Sequence, residues 1–98
     1  DTRGLSHIAS RLNVNILITG HTHSPFIKHG VTDNILLVNP GSLTGVWGGG
    51  GGSMKPSMMI LDMIEPSLLF NLYEVTEGRL SILKKKVLFN NNKWIIVE

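Results

Sequence analysis

Apolar residues in the N-terminal part of the chain first follow a helical repeat and then run continuously, which predicts one short helix and two buried strands. Four apolar residues recur at i, i+3, i+4 and i+7 and form one helical stripe; they are Leu5, Ile8, Ala9 and Leu12. Asn13 suits a helix stop. The continuous apolar runs 16–20 and 35–38 contain β-branched residues, which is typical of strands covered on both faces. We also expect an edge strand around Phe26 to Lys28.

The C-terminal part has a different pattern, in which three strand-like segments are separated by good turn sequences. The segments span residues 57–64, 67–75 and 80–89. Glu65-Pro66 and Thr76-Glu77-Gly78 separate them, so the pattern predicts an antiparallel meander. Residues 94–97 then form a short tail strand or a docking segment. Since the first two segments are apolar on both faces, something outside the chain must cover one face.

The order of these elements describes half of a layered α/β structure. Ninety-eight residues allow one small domain at most, and a hydrophobic fraction of 42% is ordinary for a packed core. We therefore expect residues 1–98 to be the C-terminal part of a single domain, in a chain that starts without methionine. The glycine run and Ser53, residues 48–53, predict a flexible loop because they offer almost no side chains to pack.

Composition excludes several functional classes. There is no cysteine, so disulfides, thiol catalysis and cysteine-ligated zinc are ruled out, as fits the cytosol. No apolar stretch approaches the roughly 20 residues that cross a bilayer. The net charge is only +2, and Lys84 to Lys86 form the single basic run. No aromatic residues interleave with it as in nucleic-acid sites, so we expect a solvated strand edge, with an acidic or lipid contact as the alternative.

Two histidines follow directly on the first predicted strand, in the sequence Gly20-His21-Thr22-His23. The carboxyl end of a strand is where α/β proteins place ligand sites. Side chains at i and i+2 of an extended segment point the same way, so both imidazoles can face one pocket. Neutral imidazole is a ligand of first-row metals. The alternative is a pair of ordinary loop histidines that bond the neighbouring backbone.

A second polar motif, Asn39-Pro40-Gly41-Ser42, ends the next predicted strand. Alone it is a turn. If the two strands are parallel or neighbouring, however, their loops meet at one edge of the sheet. We therefore expect Asn39 and Ser42 to lie near His21 and His23.

Apolar strand, Gly-His-Thr-His, strand and Asn-Pro-Gly-Ser together closely resemble the last signature blocks of calcineurin-like metallophosphoesterases. The resemblance implies the C-terminal half of a four-layer α/β/β/α sandwich that ends in an antiparallel meander. In this family two metals about 3.5–4 Å apart activate a bridging water for attack on phosphorus. The two motif histidines ligate one metal each. The resemblance thus implies His21 and His23 as ligands of divalent Zn, Mn or Mg, with Gly20, Asn39 and Ser42 lining the site.

The other ligands of this family come from N-terminal Asp-x-His, Gly-Asp and Gly-Asn-His blocks, which the chain lacks. Two histidines cannot build a two-metal centre, so we expect the chain by itself not to be an enzyme. The resemblance would still allow the whole protein to be an active metal-dependent phosphodiesterase or phosphatase. A third possibility is a purely structural fragment without metal.

Within the family, the segments 12–23, 38–45 and 56–63 are most similar to the small subunit of retromer. That resemblance implies a non-catalytic scaffold in endosome-to-Golgi protein transport, cytoplasmic and peripheral on endosomal membranes. Its metal-site edge would dock on the large α-solenoid subunit, vacuolar protein sorting protein 35. Regulatory effector proteins would bind a separate hydrophobic patch.

Four residues are candidates for binding these partners: Trp47, Ile60, Tyr73 and Ile82. Trp47 follows the second motif, near the expected metal edge, and tryptophan is enriched at interface hot spots. The other three match the effector patch implied by the resemblance. The alternative is that they pack internally, under a helix from another part of the protein.

We expect the remaining conspicuous residues to be structural. They are Met54, Met58, Met59 and Met63 as core residues, Trp94 packed on the sheet, and His7 and His29 as ordinary surface or satisfied histidines.

Overall fold

The computed structural model describes residues 1–20, 24–43 and 55–97. One helix, α1, spans Thr2–Leu12. Seven strands follow: β1 Ile16–Ile18, β2 Phe26–His29, β3 Leu36–Asn39, β4 Ser57–Ile64, β5 Ser67–Thr76, β6 Arg79–Asn90 and β7 Lys93–Val97. Residues 48–53, expected to form a flexible loop, lie outside the described residues.

Helix α1 has a polar cap at each end. The Asp1 carboxylate accepts a hydrogen bond from the Gly4 amide at 2.6 Å. Asn13 ends the helix in the left-handed conformation with φ of 57°, so the predicted stop is confirmed. Of the predicted stripe, Ala9 is buried and Leu5 packs beside it, whereas Ile8 and Leu12 are exposed. The helix therefore covers its sheet with only half of its apolar stripe.

The first sheet has the strand order β1–β3–β2. Strands β1 and β3 are parallel. Strand β2 lies at the edge of the sheet, as predicted, and is antiparallel to β3. Every residue of β3 is buried, which agrees with a strand covered on both faces. The same expectation is wrong for β1, where Ile18 is 60% exposed. In the described part of the chain β1 pairs only with β3, so its side chains lack neighbours on one side.

The second sheet is an antiparallel meander in the order β4–β5–β6–β7, which confirms the predicted arrangement. The tail is a true strand: β7 pairs with the end of β6, from Lys86 opposite Val97 to Asn90 opposite Lys93. Lys84 to Lys86 were expected at a strand edge. For Lys84 and Lys85 this is confirmed, because β7 pairs with β6 only from Lys86 to Asn90, and no described strand pairs with the other side of these two residues. Lys86 instead pairs with Val97.

The core forms between the layers. Leu36 and Val38 face the second sheet and pack with Phe70, Val87 and Trp94. On the opposite face of the first sheet, Leu37 packs with Ala9 of the helix. Helix, sheet and sheet are thus consecutive layers of the expected α/β/β/α sandwich.

Since core residues mark the inward face of the second sheet, they also identify its outer face. Met59 packs against the core, whereas its neighbour Met58 points to the outer face and is 42% exposed. Met63 is on the inner face, but it lies near the end of β4 and is 74% exposed. The expectation that Met58 and Met63 are core residues is therefore wrong, and Met54 lies outside the described residues.

None of the described helices is long and apolar enough to cross a membrane.

Candidate functional site

The parallel pairing of β1 and β3 brings the ends of both strands to one edge of the first sheet. Ile18 is opposite Val38, and the Thr19 amide donates to the Val38 carbonyl at 2.8 Å. At the end of β3, the Asn39 Nδ2 donates to the carbonyl of Gly20, two residues beyond the end of β1, at 3.2 Å. Asn39 is fully buried. Its amide thus holds the start of the Gly-His-Thr-His segment against the Asn-Pro-Gly-Ser turn.

The same asparagine also organises its own turn. Its Oδ1 accepts a hydrogen bond from the Gly41 amide at 2.9 Å, an Asx turn. Gly41 has φ of 83°, and a Cβ there would overlap the hydroxyl of Ser57. Only glycine meets both demands without strain.

The turn is anchored to the first residue of β4. The Ser57 amide donates to the Ser42 carbonyl at 2.8 Å, and the Ser57 hydroxyl donates to the Pro40 carbonyl at 3.0 Å. Ser57 is itself buried. These bonds join the edge of the first sheet directly to the second sheet, so we infer that the turn has little freedom to move.

Gly20 and Ser42 therefore lie in two adjoining loops that Asn39, the last residue of β3, holds together, while His21 and His23 lie outside the described residues. That both imidazoles face one pocket stays a prediction. The donor set suits part of a metal site, because the two histidines follow directly on the carbonyl that Asn39 holds. Within residues 1–20, 24–43 and 55–97, no three His, Asp or Glu side chains cluster as metal ligands would.

A second candidate site is an apolar groove of about 470 Å³ on the outer face of the meander. Tyr73 is paired with Met58 on one side and with Ile82 on the other, so the three side chains form one row. Ile60 follows Met58 on the same face and also lines the groove. Trp47, the fourth predicted partner-binding residue, lies outside the described residues.

Five further groove residues were not predicted from the sequence: Leu43, Pro56, Ser57, Val75 and Leu80. Val75 and Leu80 lie two positions from Tyr73 and Ile82 and oppose each other across β5 and β6. The period of two along each strand was the signal that would have found them. Leu43 had no such signal, because it lies before β4 and outside any strand.

Trp94 packs in the core between the sheets, as expected, and is also a hydrogen-bonding centre. Its carbonyl accepts a 2.6 Å hydrogen bond from the His29 Nε2, which must carry the proton because a carbonyl only accepts. His29 was expected to be an ordinary surface or satisfied histidine, and the hydrogen bond agrees with that; it joins β2 to β7 across the two sheets.

Comparison with known proteins yields a family and a set of similar structures. Residues 2–65 match the calcineurin-like phosphoesterase superfamily domain. A probable metallophosphoesterase from Methanothermobacter thermautotrophicus is 43% identical over 44 residues, which cover 45% of this chain and 24% of that protein.

Solved structures of Vps29 resemble a larger part of the chain. A doubly substituted Vps29 from Entamoeba histolytica has a TM-score of 0.74 and 33% identity, covering 92% of this chain and 48% of that one. Vps29 from Cryptosporidium parvum has a TM-score of 0.77 and 25% identity, covering 86% and 42%. Wild-type Vps29 from E. histolytica, solved with zinc, has a TM-score of 0.74 and 30% identity, covering 84% and 44%.

The chain spans less than half of each of these Vps29 chains. The likeness nevertheless takes in both sheets, and the family model matches well over half of the residues. The chain therefore belongs to the calcineurin-like phosphoesterase superfamily.

Proposed function

We propose that the protein is the vacuolar protein sorting protein 29 subunit of retromer, a non-catalytic scaffold in endosome-to-Golgi retrograde transport. The likeness to Vps29 carries this proposal. It extends over 92% of the chain, whereas the family model ends at residue 65. Residues 66–98 lie beyond the family match, and a likeness over 92% of the chain must include most of them.

The edge of the first sheet is the proposed docking surface for the large α-solenoid subunit, vacuolar protein sorting protein 35. Support comes from the hydrogen bonds of Asn39 and Ser57, which fix the two loops at that edge. A preformed surface loses little conformational freedom on binding. Trp47, close in sequence to this turn, is the proposed aromatic contact.

A divalent metal, Zn, Mn or Mg, is proposed to bind His21 and His23 at the same edge. The family membership and the zinc-bound Vps29 of E. histolytica support this part. When bound in pairs, such ions activate water for attack on phosphorus. In a scaffold, the metal would instead order the loop that follows Gly20.

The outer groove is the proposed site for regulatory effector proteins, with Ile60, Tyr73 and Ile82 as its contact residues. Ile60 is 44% exposed and Ile82 is 51% exposed, and Tyr73 is half-buried between them. Exposed apolar patches of this kind are typical of protein-interaction sites. The tyrosine offers an apolar ring with a polar tip.

An experiment on the whole protein separates scaffold from enzyme. Binding to the purified large subunit is measured by calorimetry, and hydrolysis of bis-p-nitrophenyl phosphate is measured with Mn²⁺ or Zn²⁺. The scaffold requires binding in the nanomolar to micromolar range and no turnover above that of the free metal. Robust metal-dependent turnover that His21→Ala abolishes would overturn it.

The second candidate function is an active metal-dependent phosphodiesterase or phosphatase of the same fold. The family match and the archaeal relative, described as a probable metallophosphoesterase, favour it. Since the chain supplies only two of the family's ligands, catalysis would need a complete set of metal ligands from the rest of the protein. The same assay decides between the two.

A further inference from the structure

We propose that the outer groove selects partner segments in which acidic side chains lie next to the apolar anchors. This inference rests on the proposed role of the groove as a partner site. It adds the chemistry of the partner. The observation that supports it is the position of Lys84 beside the groove, with Lys86 one row further along the same face.

Strand register places these lysines on the groove's own face. Residues directly opposite each other in an antiparallel sheet point to the same side. Three consecutive rows cross the outer face: Met58–Tyr73–Ile82, Ile60–Asn71–Lys84 and Asp62–Leu69–Lys86. Lys84 therefore lies in the row of Ile60, about 7 Å along β6 from Ile82.

Both lysines are exposed, whereas Lys85 points to the inner face and is half-buried there. The one acidic residue in these rows, Asp62, lies two strands away from Lys86, about 10 Å across the sheet. Its Oδ2 accepts a hydrogen bond from the Asn71 amide at 3.1 Å. The β6 side of the outer face is thus positively charged where it meets the groove.

The apolar groove and the lysines contribute to binding in different ways. The apolar groove supplies affinity by removing apolar side chains from water. The lysines supply selectivity, since charge complementarity excludes wrong partners and sets register more than it adds affinity. A segment with one or two acidic residues beside its apolar anchors satisfies both.

A peptide fits this surface better than an anionic membrane does. The groove is a concavity of about 470 Å³, into which partner side chains can insert. Membrane insertion instead needs apolar residues that protrude, and Met58, Ile60 and Tyr73 line a hollow. The buried amide of Asn71 also interrupts the apolar surface in the second row.

The test pans a random peptide library against the whole protein and measures the selected peptides by fluorescence polarisation. We expect acidic residues to be enriched near apolar ones. Lys84→Glu should weaken binding about fivefold, because an attraction becomes a repulsion at a solvated site. Lys85→Glu, on the other face of the same strand, should change binding less than about twofold.

The outcomes separate this inference from the proposed function. If the selected peptides need Ile60 but show no enrichment of acidic residues, or if Lys84→Glu and Lys85→Glu weaken their binding equally, the charge selection is refuted. Either result leaves the role of the groove as a partner site unrefuted. If no selected peptide loses its binding in the Ile60→Asp variant, the proposal that the groove is a partner site is refuted as well. If the protein sediments with phosphatidylserine vesicles and Lys84→Glu abolishes this, the lysines bind a membrane, and the proposal of a peptide partner is wrong.

Discussion

The indole nitrogen of Trp94 donates a hydrogen bond to the backbone carbonyl of Asn15, 3.0 Å away. These residues belong to the last strand and to the segment before the first one, so the bond joins β7 to the start of β1. The Trp94 amide also donates to the Asp33 carbonyl at 2.8 Å. Its ring lies 4.6 Å from that of Phe89. The tail strand is thereby bound to both sheets.

Trp94→Ala should therefore destabilise the protein by about 3–5 kcal/mol, the usual cost of removing a buried tryptophan. Trp94→Phe keeps most of the apolar contact and loses the bond to Asn15, so it should cost less, about 1–3 kcal/mol. Urea unfolding of the whole protein measures both. Ile95→Ala, at an exposed neighbour on the outer face, is the control and should cost below about 1 kcal/mol.

Replacing Asn39 should loosen the loop that carries the two histidines. Asn39→Leu leaves the Gly20 carbonyl and the Gly41 amide without this partner, at about 1–3 kcal/mol for each group left buried and unpaired. Zinc affinity, measured by calorimetry, should fall about 10–100-fold, as for other residues that orient metal ligands.

The matched control for Asn39 is Asn71→Leu. Asn71 is also buried and donates to the Ile60 carbonyl and to Asp62, but in the second sheet. It should lower stability and leave zinc affinity unchanged. Equal losses of zinc affinity in both variants would show that general destabilisation, not the position of the loop, is responsible.

Alanine substitutions at two glycines distinguish the cost of backbone strain from the cost of steric overlap. Gly41 and Gly78 both have positive φ, 83° and 75°, but an added Cβ meets the Ser57 hydroxyl only at Gly41. Gly78→Ala should cost about 1–2 kcal/mol, the price of the left-handed conformation. Gly41→Ala should cost clearly more in thermal or urea unfolding. Equal costs would mean that the turn moves to accept the methyl group.

Ile60→Asp should leave the fold intact and abolish partner binding at the groove. Because Ile60 is already 44% exposed, its loss removes little burial, and we expect about 1–2 kcal/mol of destabilisation. Ile95→Asp is the control, since Ile95 is 45% exposed on the same face but opposite Leu88, outside the groove. Unfolding by Ile60→Asp, seen by circular dichroism, would instead identify Ile60 as a core residue.

Local patterns in the sequence were enough to predict the helix, its stop at Asn13 and the antiparallel meander. Each depends on interactions between residues close in the chain: a period of side chains, a cap, a turn. The two loop motifs of the candidate site were also visible, since each directly follows an apolar strand. Their hydrogen bond through Asn39 was not, because it depends on how β1 and β3 pair.

The sequence by itself thus determined which segments are helix or strand and which residues carry chemistry. Only the tertiary structure decided which face of β4 turns inward, because Met58 and Met59 are equally apolar and only contact with the first sheet distinguishes them. It likewise decided that Lys84 lies beside the groove, on the part of β6 that β7 does not cover, and that His29 bonds to Trp94. Each of these depends on contacts between residues distant in the chain, and a local pattern contains no information on such contacts.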